Sequence, residues 1–153
     1  MLSKLNSLLS EFFLPTNDAD HPAHTLQLAT AVLLIEVMRS DAESTEEEQA
    51  TVLKILKERF QLSDEQVAQL SERGQQTAKD ANDFYQFTSL INKELDMSEK
   101  IPLIEYMWQV AYADGKISPH EEHILRKIAG LLYVSHANYI TAKMRAKAER
   151  LKQ

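Results

Sequence analysis

The residues able to do chemistry are concentrated in two short acidic stretches. The first holds Asp41, Glu43, Glu46, Glu47 and Glu48; the second holds Asp114, Glu121 and Glu122, with His120 and His123 beside them. In each, an Asp is followed seven residues later by a Glu: Asp41 by Glu48, and Asp114 by Glu121. Clustered carboxylate oxygens of this kind suit hard divalent cations such as calcium, magnesium or manganese. The candidate metal ligands are therefore Asp41, Glu43, Glu48, Asp114, Glu121 and Glu122. Gly115, Ile117 and Glu121 also match the glycine, apolar and terminal Glu positions of an EF-hand loop. The match ends there, because the first and third ligand positions fall on Val110 and Tyr112, which carry no carboxylate. A full calcium cage is excluded; a shallower site assembled from both stretches is not.

The same acids have a second reading. Asp and Glu in the first turn of a helix interact favourably with its free N–H groups and positive dipole end, by about 0.3–1 kcal/mol each. Capping needs no metal, yet one acid per helix suffices, and Glu46, Glu47 and Glu48 place three like charges side by side. Caps alone, and a cation or basic-partner site, both remain open. His120 and His123 are three apart, whereas the metalloprotease pattern needs His-Glu-x-x-His, so a solvated pair is the simpler reading.

Other chemistries lack their residues. With no cysteine there is no thiolate nucleophile, disulfide frame, Cys-ligated zinc or iron-sulfur site. No Gly-rich phosphate loop or serine nucleophile elbow is present. The reading is a non-enzymatic protein. The alternative is a metal-dependent hydrolase using the same carboxylates with His120.

Helices must position these stretches. Leu26, Ala29, Leu33 and Val37 recur at helical spacing, widened by Val32, Leu34, Ile35 and Met38 into a stripe that predicts a central, buried helix. Thr45 with Glu48, Ser63 with Gln66, and Ser118 with Glu121 have capping-box spacing and predict three helix starts, the last with Pro119 at its first position. Further helices are predicted from Asn82 or Asp83, from Ser98, and through Tyr139, Ile140, Met144 and Leu151. A polar stretch at residues 73–80 reads as a separator. In the last helix, Ile140, Met144, Ala148 and Leu151 form an apolar stripe expected to dock on the domain. Its basic side, with Lys143, Arg145, Lys147, Arg150 and Lys152, is expected to be solvated or to touch an acidic partner or lipid surface. Residues 1–14 read as a short amphipathic helix. No alternating strand pattern occurs.

Composition agrees with an all-α, single-domain bundle of about seven or eight helices. The 153 residues suit one domain, 44% are hydrophobic, and three Gly with four Pro leave few helix breakers. A net charge of −6 has the wrong sign for nucleic acid as a main partner. The longest apolar run, residues 128–134, falls far short of the roughly 20 residues needed to span a bilayer, and no secretory signal is evident, so a cytoplasmic protein is expected.

The chain also reads as an internal duplication. Around Asp41 and Asp114 the same signals recur in order: apolar helix end, Asp, polar loop, capping box, amphipathic helix. They close on Leu62-Ser63 and Val134-Ser135. The repeats cover about 22–80 and 83–153 after an N-terminal helix and linker at 1–21. Each half is too small to bury both its faces, so the two are predicted to pack around a pseudo-two-fold axis.

The second repeat carries a resemblance. Residues 108–118, with Ala113-Asp114-Gly115 at their centre, followed by Glu121-Glu122 and residues 128–135, resemble the signature of the TerB-like tellurite-resistance family, which includes a domain of DjlA-type co-chaperones. Residues 33–41 and 82–88 fit the same pattern; the first repeat departs from it, with Ser40-Asp41-Ala42 where the family favours Ala-Asp-Gly. The resemblance implies a duplicated helical bundle with an acidic face binding divalent cations. It implies a role in bacterial stress responses through protein partners, sometimes at the membrane, with no established enzymatic reaction.

Overall fold

The structure is a computed structural model that describes residues 22–40 and 45–151, with side chains from Leu26 onward. It contains α1 (Pro22–Arg39), α2 (Glu46–Phe60), α3 (Asp64–Asp80), α4 (Tyr85–Glu94), α5 (Met97–Ala111), α6 (Pro119–Leu131) and α7 (His136–Leu151), and no strand among the described residues. The all-α expectation holds. The helix expected at residues 1–14 lies outside the described residues. No helix among them is long and apolar enough to cross a membrane.

Local chemistry sets most helix ends. Ser63 and Ser118 each accept from the backbone N–H three residues on, while Gln66 and Glu121 accept from the backbone of their own cap residue, so two of the three predicted capping boxes close in full. Thr45 Oγ1 accepts from Glu48 N at 3.2 Å and starts α2. Two starts differ from expectation. α5 begins at Met97, because Asp96 makes a capping box with Glu99 and takes up the Ser98 hydroxyl as well. α4 has Phe84 at its cap position, with Asp83 Oδ1 accepting from Tyr85 N at 2.9 Å. The polar stretch at 73–80 is no separator: it completes α3, where Gly74 and Ala78 are buried. A Cβ on Gly74 would lie 2.8 Å from Ile35 Cδ1 and 3.2 Å from Ala31 Cβ, so that glycine lets α3 approach α1 closely.

α1 and α5 lie against each other at the centre. α1 packs on α2 and α3 as α5 packs on α6 and α7; α2 also reaches α5, and α6 reaches α1. Apart from α4 and the α2–α3 contact, which is stronger in the first half, each pairing has its counterpart. The ends of α2 and α6 repeat too. Gln61 and Tyr133 both adopt left-handed backbone, at φ 53° and 61°, and Leu62 N and Val134 N reach back to Lys57 O and Ala129 O. The core runs through both halves, with Leu33, Leu34, Ile35, Ile104, Met107, Trp108 and Ile128 fully enclosed. Each such side chain contributes about 1.5–3 kcal/mol by leaving water.

α7 corrects an expectation. Its buried line is Tyr139, Ala142 and Ala146. The stripe expected to dock turns outward: Ile140 is 38% exposed, Met144 59% and Leu151 82%. The aromatic Tyr139, tilted against Trp108 with ring centres 5.0 Å apart, outweighs the longer aliphatic line, and two alanines let α7 lie close to α5.

Candidate functional site

Each candidate stretch links a central helix to the next one, and the described residues include the whole of the second link. In the second, α5 ends at Ala111 and the chain tightens through Ala113 N to Val110 O and Gly115 N to Tyr112 O. Gly115 takes φ 87°, a left-handed conformation that glycine adopts without steric cost. A Cβ there would also stand 2.9 Å from Arg150 Nη2. Asp114 Oδ1 accepts from Lys116 N at 3.0 Å, which holds the half-buried carboxylate over the bend. Ser118 then caps α6, and Glu121 Oε1 accepts from Ser118 N at 3.0 Å.

Glu121 is fully buried. Glu48 occupies the same third position in α2 and is fully buried as well. In the other capping boxes this third residue is more open: Gln66 in α3 is half-buried and Glu99 in α5 is exposed. Glu46 and Glu47 are exposed on the first turn of α2. Asp41 and Glu43 lie outside the described residues. At the near edge of the first bend, Glu36 accepts from Arg39 Nη1 at 2.9 Å. Burial nevertheless pushes the Glu36 carboxyl above its usual range, outweighing the attraction of Arg39.

Glu122 points along α6, its carboxylate 3.9 Å from Arg126. Its charge reaches two tyrosines beneath. Burial first, and Glu122 second, hold the Tyr112 phenol above its usual value; Tyr139 is raised by the same two causes, with Arg126 opposing. His120 and His123 are exposed on the same helix. Among the described residues no three Asp, Glu or His side chains gather as a metal-ligand group. The structure thus brings Glu121 against the start of its own bend, sets Asp114 at the preceding turn, and turns Glu122 toward Arg126 and the tyrosines.

Two features escaped the sequence reading. From its place on the basic side of the last helix, Arg150 is expected to be solvated or to touch an acidic partner or lipid surface. Instead its Nη1 donates to Ala113 O at 3.1 Å, capping the end of α5 beside Asp114 from 37 residues away. A cleft of about 240 Å³ also opens between α2, α5 and α7, with Lys54, Glu58, Tyr106, Gln109, Glu149 and Arg150 among its walls. Its residues come from three helices, so no local spacing signals it.

The family model described as tellurite resistance protein TerB matches residues 27–144, which take in both bends, both buried glutamates and all seven helices in whole or part. Searches of curated proteins and of solved structures returned no match. The matched segment contains the Ala113-Asp114-Gly115 turn and covers most of the chain. The chain belongs to the TerB family of tellurite resistance proteins.

Proposed function

We propose that the protein is a non-catalytic, cytoplasmic stress-response module whose two acidic bends bind a divalent cation and present the surface that a protein partner reads. The carrying observation is the pair Glu48 and Glu121, which hold the same place in the two halves and are both fully buried. Capping alone does not require burial, since Glu99 closes its capping box from an exposed position. Two enclosed acids at equivalent positions, with Asp114, Glu46 and Glu47 near the same helix starts, offer oxygen donors suited to a cation and not to an anionic ligand. Asp41 and Glu43 complete the donor set in this reading.

Family membership supports a tellurite-resistance-related role, and the acidic bends supply a surface suited to basic partners. The test is a titration of the full chain with calcium, magnesium and manganese in turn, followed by backbone amide shifts. The amides of Gly115, Lys116, Glu121 and Glu48 are expected to move at millimolar metal, and Asp114→Asn and Glu121→Gln to weaken the response about tenfold or more. Silence of these amides at millimolar concentrations of all three metals would overturn the cation reading. Turnover in a manganese-dependent hydrolase screen, abolished by Asp114→Asn, would overturn the non-catalytic one.

A further inference from the structure

α7 needs one apolar side to hold it to the domain, and it has two. Tyr139, Ala142 and Ala146 form the buried side. Ile140, Met144, Ala148 and Leu151 form the other, spaced four, four and three residues apart on the opposite side of the helix, which makes a line about 16 Å long at 1.5 Å per residue. The large exposed hydrophobics elsewhere, Tyr85, Met97 and Tyr133, belong to three other parts of the chain and make no such series. An exposed apolar line of this length on a helix already anchored by its other side marks a contact surface.

The charges around the line identify what it meets. Arg145 lies on one side and Lys147 on the other, both exposed and in no ion pair with a described residue. Lys143 and Arg150 face the domain, over the Trp108 ring and at Ala113 O respectively. Glu149, the one acid of α7, faces the cleft between α2, α5 and α7. The outward side therefore carries apolar and cationic groups without a carboxylate, in a chain whose net charge is −6. A second copy pairing through α7 would set cations against cations. A convex ridge with cations on both flanks suits a surface that is negative everywhere, with an apolar layer just beneath.

We propose that the outward side of α7 docks on an anionic phospholipid bilayer surface. Ile140, Met144 and Leu151 enter the boundary between headgroups and acyl chains, while Arg145 and Lys147 extend to the headgroup phosphates. The contact is peripheral and reversible, because the apolar line is short and only a few cations attend it. It is independent of the acidic bends and requires no metal.

The test is flotation of the full chain with vesicles of phosphatidylcholine alone or with about one third phosphatidylglycerol. Recovery is expected to be about tenfold higher with the anionic vesicles and to fall back in half-molar salt. Met144→Glu with Leu151→Glu, and separately Arg145→Glu with Lys147→Glu, are each expected to lower that recovery about tenfold, with circular dichroism and urea midpoint unchanged because the sites are exposed. Met144→Gln with Leu151→Gln serves if the charged pair disturbs folding. Absence of binding to anionic vesicles, or binding that both double variants retain, overturns the proposal. So does a concentration-dependent dimer that Met144→Glu dissolves, which would assign the surface to a second copy, or capture of an acidic amphipathic peptide without vesicle binding.

Discussion

Arg150 donates a 3.1 Å hydrogen bond to the carbonyl of Ala113, and Gly115 is the residue that makes room for it. The C-terminal helix thereby closes the end of α5 at the acidic bend. Gly115→Ala is expected to cost about 1–2 kcal/mol, from the left-handed backbone and from displacement of the guanidinium. Arg150→Ala is expected to cost about 1 kcal/mol, the worth of one charge-assisted bond at a helix end. Urea unfolding of both single variants and the double variant checks the coupling: the double should cost less than the sum, since Gly115→Ala already disturbs the bond.

The two left-handed helix ends respond differently to glycine. Gln61, at φ 53° and exposed, gains from Gln61→Gly by about 0.5–1 kcal/mol, because glycine adopts this conformation without strain. Tyr133 has the same backbone, but Lys100 Nζ lies 5.8 Å from its ring centre. Tyr133→Gly loses that contact, worth about 0.5–1 kcal/mol at an exposed site, so a smaller gain or none is expected. Thermal melts of the two variants side by side provide the measurement.

Gly74 reports on the α1–α3 approach. Gly74→Ala trades helix propensity, about 1 kcal/mol in its favour, against a contact that forces Ile35 Cδ1 aside, so its net effect should be small. Gly74→Leu cannot be accommodated by a rotamer change of Ile35 alone, because Ala31 stands behind it. It should cost about 2–3 kcal/mol or more by overpacking. A urea midpoint for Gly74→Leu equal to that of wild type would contradict the helix spacing.

Glu122 and Arg126 act on Tyr139 with opposite signs. Glu122→Gln should move the phenolate titration to lower pH, and Arg126→Leu should move the Tyr139 component higher, both read from the ultraviolet phenolate band. Both tyrosines favour the neutral form in the folded state more than in the unfolded one. Their contribution to stability is therefore complete below the usual phenol value near 10 and is lost as pH rises through the raised folded value. Alkaline unfolding should begin above that usual value.

Much of the architecture was legible because its signals are local. Capping boxes at Ser63 and Ser118, a near-continuous apolar stripe through Leu33 and Val37, and matching endings at Leu62-Ser63 and Val134-Ser135 each sit within a few residues. Capping bonds and helical spacing act within one or two turns, so such patterns are readable along the chain. The duplication and the family signature were legible for the same reason. Local signals also misled where two of them competed: Ser98 resembles a cap, but Asp96 lies closer to the correct distance from Glu99 and takes both roles.

The sequence by itself determined an all-helical, cysteine-free, acidic chain with carboxylates at two corresponding bends. Only the tertiary structure decided which of those carboxylates leave water: Glu48 and Glu121 are enclosed, while Glu46 and Glu47, two and one residues before Glu48, remain exposed, a difference that depends on how each helix face packs. It also decided the facing of α7. Periodicity points to the line through Ile140, Met144, Ala148 and Leu151, but the side that docks depends on how Tyr139 fits against Trp108, a contact across 31 residues that helical spacing does not encode.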